Sequence, residues 1–170
     1  ADRVAAACGA APMGIRPYRR TMAQVRLGAP VPAALPLIVH VGGDFYFKGA
    51  GEGRIWLSPH DETPSPPGDA APEDIDVALA IARLQAVVDW PVAAVERKWA
   101  GLRSFAPDRL PVFGADPHAP GFVWCAGQGG FGIQTAPAIS ALLAAELGAP
   151  MPGGAIGAID PAAFSPARFA

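Results

Sequence analysis

The sequence predicts an α+β fold: an antiparallel or mixed sheet with one packed helix, followed by a strand, a glycine turn and a second helix. Three observations predict it. Short β-rich runs alternate with glycine turns between residues 37 and 58, the pattern of an antiparallel meander. One amphipathic stretch opens at Pro72-Glu73-Asp74, with proline and acids in a first helical turn. Four glycines, at 127, 129, 130 and 132, separate an apolar run from a long uncharged one.

Residues 1–9 have the pattern of a helix ended by Gly9, but with no cap and no lead-in. A chain that opens inside an element is expected to be a fragment. Residues 14–26 form a long strand pattern, with Arg16, Tyr18, Arg20, Gln24 and Arg26 on one face and Thr21, Ala23 and Val25 on the other. The arginine face is expected to be solvated. A proline-rich loop at 28–36 leads to strands at 37–41, 45–48 and 54–58, with turns at 42–44 and 49–53. Residues 58–71, with prolines at 59, 64, 66 and 67, are expected to be loop. In the helix that follows, Ile75, Leu79 and Ala82 share one stripe, and Val77, Ile81, Leu84 and Val88 an adjacent one. Asp89-Trp90-Pro91 stops it, and a long strand is expected at 92–102. Strands at 110–114 and 121–126 complete the core. The last helix is expected at 137–147, with Pro137 in its first turn, apolar on nearly every side and therefore buried. Gly148 and Pro150 end it, and the tail from Met151 has no strong pattern.

Composition narrows the classes of partner. With 170 residues, 51% of them hydrophobic and 16% charged, the chain is globular and long enough to bury a substantial core. A net charge of −2 argues against nucleic acid. No apolar run is long enough for a membrane span, and no signal-peptide pattern opens the sequence. Cys8 and Cys125 make no disulfide framework, so a reduced, cytoplasmic setting is the default. His40, His60 and His118 lack ligand spacing, so no metal site is expected.

The glycine turn before a helix N-terminus offers free N–H donors and the positive end of a helix dipole to an anionic or electron-rich group. Tight packing with no ligand explains the glycines equally at this point. The spacing is not G-x-G-x-x-G, and no acidic residue about twenty places on completes a first nucleotide-binding turn.

Several segments stand in a particular order: Gly101-Leu102-Arg103-Ser104, Pro107-Asp108, Pro111-Val112-Phe113-Gly114, then the glycine-rich stretch from Gly127 to Gln134. Upstream lie the stretch from Gly14 to Thr21 and the aromatic strand Phe45-Tyr46-Phe47-Lys48. In this order they resemble the C-terminal part of the flavin-dependent D-amino-acid oxidase and glycine oxidase family, over most of residues 1–148.

The resemblance implies a division of the chain. Residues 10–100 would be a substrate-binding sheet domain, residues 1–9 and 101–150 the remnant of an FAD-binding domain, and 151–170 a tail. The N-terminal βαβ part that binds the adenine half of FAD would be absent here, and would be this chain's missing partner. Alone, the chain is then expected to be inactive and to hold FAD weakly or not at all. The complete protein would oxidise glycine, a D-amino acid, an N-methyl amino acid or another secondary amine to the imine, passing a hydride to FAD. Arg103 would pair with the substrate carboxylate and Tyr46 would add a hydrogen bond to it. The amides around Gly127, Gln128, Gly129, Gly130, Phe131, Gly132, Ile133 and Gln134 would face the cofactor. No side chain stands out as a catalytic base. Gln128 departs from the histidine of D-amino-acid oxidases, Gln134 from their threonine, and Ser104 from the proline after the arginine. Gly101 occupies the place of the cysteine that attaches flavin in the sarcosine oxidase branch, so the cofactor is expected to be non-covalent. Two other readings stay open: a catalytically silent substrate-binding module, and one chain of a hetero-oligomeric flavin dehydrogenase.

Overall fold

A computed structural model describes residues 1–32 and 34–169; Ala33, in the proline-rich loop, and Ala170 lie outside the described residues. The elements in chain order are α1 (Asp2–Ala7), β1 (Arg16–Leu27), β2 (Ile38–Val39), β3 (Tyr46–Gly51), β4 (Arg54–Ser58), β5 (Thr63–Pro64), α2 (Asp74–Gln85), β6 (Val92–Phe105), β7 (Val112–Ala115), β8 (Val123–Ala126), α3 (Gly132–Glu146) and α4 (Gly154–Gly157), followed by two short 3-10 turns. The chain divides into two compact units: Tyr18–Leu102, and Ala1–Pro17 with Arg103–Ala170. The fold is α+β, as the sequence predicts.

In the Tyr18–Leu102 unit, β2, β3, β4 and β1 run in spatial order, with β5 and β6 also pairing β1. Alternation decides which side chains enter the core: Ala23, Val25 and Leu27 of β1 point the same way as Ile55 and Leu57 of β4. Val77, Ala80 and Leu84 of α2 close over them. The stripe carrying Ile75 and Leu79 is the one left exposed.

The arginines of β1 correct the sequence expectation. Arg20 shares a face with Gln24 and Arg26, yet it is buried. Its Nε donates to the Asp61 carbonyl at 2.7 Å and its Nη2 meets Glu62 at 3.0 Å. Arg19, also buried, reaches Asp76 at 2.8 Å and Glu73. Asp61 in turn accepts from the N–H and hydroxyl of Thr21, at 2.7 and 2.9 Å. Acids from the 58–71 loop and from α2 thus cover this end of the strand. Buried charges persist only when partnered in this way. Arg16 and Arg26 are the exposed ones, and Arg26 pairs with Glu96 at 3.0 Å.

In the other unit, β7 and β8 form an antiparallel pair with Val112 opposite Ala126 and Gly114 opposite Trp124. Ala5, Ala10, Ile15, Ala106, Val112 and Trp124 make one core. Asp116 locks the hairpin end: it accepts from the N–H groups of His118 and Ala119 and from Trp124 Nε1, each at 2.8 Å. Phe113, Ile139 and Leu142 make a second core, onto which Ile156, Ile159 and Phe164 pack. The tail therefore has a structural place, with Phe164 stacked on Phe113 at 4.9 Å between ring centroids. Its apolar residues are too widely spaced to show a period.

The last helix also differs from expectation. It begins at Gly132, not at Pro137, so the proline lies inside it. Its first i to i−4 hydrogen bond runs from Thr135 N–H to the Phe131 carbonyl, 3.0 Å. Only Ile139 and Leu142 of α3 are buried, and Ile133 is 96% exposed. Lack of charge marks a helix that can be buried, and among the described residues only one of its stripes has a core to meet.

Candidate functional site

The candidate site lies in the unit that holds Arg103 and the glycine turn. It is built where the end of β6 meets that turn. Phe105 bridges Gln128 in antiparallel fashion, and Gly129 N–H donates to the Ser104 carbonyl at 2.9 Å. These bonds hold residues 103–105 against residues 128–130.

Gly129 is dictated by this approach, whereas Gly130 faces the movable end of the Arg103 side chain. Gly129 has φ +54°, and a Cβ there would collide with the Phe105 ring. A Cβ on Gly130 would stand 2.6 Å from Arg103 Nη1. The guanidinium of Arg103 therefore packs on bare backbone at the turn. Gly132 differs from both: a Cβ there would meet Gln128 Cβ at an ordinary 3.4 Å.

The turn opens α3 with no side-chain cap, Phe131 at the N-cap and no acid in the first turn. The N–H groups of Gly132, Ile133 and Gln134 precede the first intrahelical bond, as the leading amides of any α-helix do. With the helix dipole they form a donor-rich, positive end. Two amides that sequence assigns to a ligand are engaged inside the turn: Gly129 N–H with Ser104, and Phe131 N–H with the Gln128 carbonyl at 3.0 Å. Gln128 itself turns its amide nitrogen to Cys125 Sγ, 3.5 Å away. Beside the helix start lies a cavity of about 360 Å3, walled chiefly by apolar side chains including Phe113, Phe131 and Ile139, with Arg109 and Gln134 among its polar members. Such an arrangement can hold an anion against Arg103 and an electron-rich edge against the helix amides.

A family model for FAD dependent oxidoreductases (DAO) matches residues 1–146. The chain belongs to this family. Among solved structures, the glycine oxidase of Geobacillus kaustophilus superposes with a TM-score of 0.71 at 23% identity, over 97% of this chain and 42% of that one. The L-proline dehydrogenase of P. horikoshii gives 0.71 at 20%, over 92% and 41%. The L-amino acid deaminase of Proteus vulgaris gives 0.63 at 20%, over 92% and 37%. At such identities the likeness establishes the fold. The chain spans about two-fifths of the length of these relatives.

Within this DAO-family chain, Arg103 and the 127–134 stretch come together in one unit, whereas Tyr46 belongs to the other. Tyr46 sits on β3 opposite Ser58 of β4, its hydroxyl 3.2 Å from Met22 Sδ and its ring edge-on to His60. Sequence reasoning gives Phe105 and Arg109 no role. Phe105 touches Gly129, and the Arg109 guanidinium lies 4.1 Å from the centre of the Phe105 ring. No spacing rule announces that stack. The one hint is an aromatic two residues after Arg103, on the same face of an extended strand.

Proposed function

We propose that this chain is the substrate-binding and C-terminal portion of a flavin-dependent amine or amino-acid oxidoreductase, oxidising glycine, a D-amino acid or an N-methyl amino acid to the imine. One observation carries the reading: the Arg103 guanidinium lies against Gly130, beside the uncapped start of α3. An anion-binding side chain and a hydrogen-bond-donating, positive helix end then adjoin. The three relatives above are named for glycine, L-proline and L-amino acids, which supports an amino-acid substrate.

In this reading the unit Tyr18–Leu102 is the substrate-binding sheet, and the other unit is the flavin-facing remnant. FAD, bound non-covalently because residue 101 is glycine, supplies the hydride acceptor. Arg103 holds the substrate carboxylate in a charge-assisted, bidentate pair. The amides of Gly130, Gly132, Ile133 and Gln134 hold the electron-rich edge of the cofactor. An acid in the first turn of α3 would repel that edge, and its absence fits the group.

The test is Arg103→Met in the flavin-loaded protein. The KM for a carboxylate-bearing amine should rise about tenfold or more, as loss of a charged hydrogen-bonded pair requires, while an amine lacking the carboxylate is little affected. A change in KM under about twofold, worth less than half a kcal/mol, would remove Arg103 from the site.

A further inference from the structure

We infer that Phe105, clamped by Arg109, is a positioning residue that sets the direction of the amides in the glycine turn; its bearing on catalysis rests on the flavin reading above. Arg109 has φ +67°, a left-handed conformation that a residue with a side chain adopts at a cost. The tight turn at 106–109 imposes it, closed by Arg109 N–H on the Ala106 carbonyl at 2.9 Å. Asp108 pins the same turn, accepting from Leu110 N–H at 3.0 Å and pairing with Arg168 at 2.7 Å. So held, the Arg109 guanidinium covers the face of Phe105 at 4.1 Å.

The Phe105 ring is itself buried, and it fills the space that a side chain at 129 would need. Gly129 takes φ +54° and donates to Ser104 with that ring packed against the place its side chain would fill. The amides of Gly130 and Gly132 follow directly along the backbone, so their aim is set by the same ring. Arg109 acts through Phe105, and Phe105 through Gly129; neither needs to touch the cofactor.

Hydrogen exchange followed by NMR on the 15N-labelled chain, with no flavin present, tests this. In Arg109→Gly the backbone suits φ +67° better than in the native chain. A purely backbone role therefore predicts exchange at Gly129 N–H that is unchanged or slower. The clamp predicts exchange roughly threefold to fivefold faster at Gly129, the worth of one cation–π contact, with Val25 and Ile55 amides unaltered. Arg109→Lys, which keeps a cation, should fall between the two. Phe105→Leu should move the Gly129 and Gly130 amide resonances in the same direction as Arg109→Gly. A Gly129 rate within about twofold of native in Arg109→Gly, or faster exchange throughout the sheet as well, would overturn the inference. Because flavin plays no part in the measurement, failure of the flavin reading would leave this result standing.

Discussion

The glycines of the turn separate into those the fold requires and those it does not. Gly129 combines a positive φ with a side-chain site already occupied by Phe105. Gly129→Ala should destabilise the chain by roughly 1–3 kcal/mol, read as a lower urea midpoint. Gly132 is neither strained nor crowded, and it stands at the start of a helix where alanine is the better helix former. Gly132→Ala should leave stability equal or raise it by up to about 1 kcal/mol. If its amide faces the cofactor, the same change should weaken FAD binding in the flavin-loaded protein, since a methyl group enters the approach path. Unaltered FAD affinity in a well-folded Gly132→Ala would place the cofactor elsewhere. The order of the Gly101–Arg103 and Gly127–Gln134 segments makes both legible in sequence, and the fold sets Arg103 against Gly130. The stack of Arg109 on Phe105 is not legible, because it depends on how a tight turn folds back on a strand.

At the scale of elements, legibility follows local punctuation. β4 is found to the residue because glycines and a serine-proline pair bracket it. Two-residue β5 is invisible, since a proline-rich loop pairs with β1 only through tertiary contacts. The burial of Arg19 and Arg20 has the same origin: their partners Asp61, Glu62, Glu73 and Asp76 lie about forty or more positions away. α3 shows a subtler failure. Pro137 is a good first-turn residue, yet the turn closes on the Gln128 carbonyl and starts the helix five residues earlier. Pro137 thereby withholds the N–H that would reach the Ile133 carbonyl. Pro137→Ala should restore that bond and stabilise the chain by about 1–2 kcal/mol, the helical gain less the unfolded-state entropy that proline had removed. Thermal unfolding would check it; a lower Tm would mean the proline's ring packs in a way that matters more than the missing bond.

For the molecule as a whole, acid is the revealing variable. Among the described residues, three carboxylates are held below their ordinary range in the fold: Asp116 by the hydrogen bond from Trp124 Nε1 and by backbone amides, Asp108 by Arg168, and Glu96 by Arg54 and Gln24. Both units contribute, since Glu96 lies in one and the two aspartates in the other. In the unfolded chain such groups titrate near about 4. A folded-state pKa below the unfolded one means the fold binds fewer protons. The stabilisation is therefore complete above the unfolded value and is lost as pH falls through the folded ones. Stability should be flat from neutral pH to about 5 and decline below about 4. Asp116 gives the cleanest test, because its carboxylate accepts three hydrogen bonds inside the β7–β8 hairpin end. Asp116→Asn should lower the urea midpoint at neutral pH, where the native carboxylate is charged, yet lose less than the native chain on transfer to about pH 3. The NMR signal of the Trp124 indole N–H, which donates to Asp116, would report the hairpin directly. An acid limb equally steep in Asp116→Asn would assign the pH dependence to Asp108 and Glu96, and reduce Asp116 to a neutral hydrogen-bond acceptor in the loop.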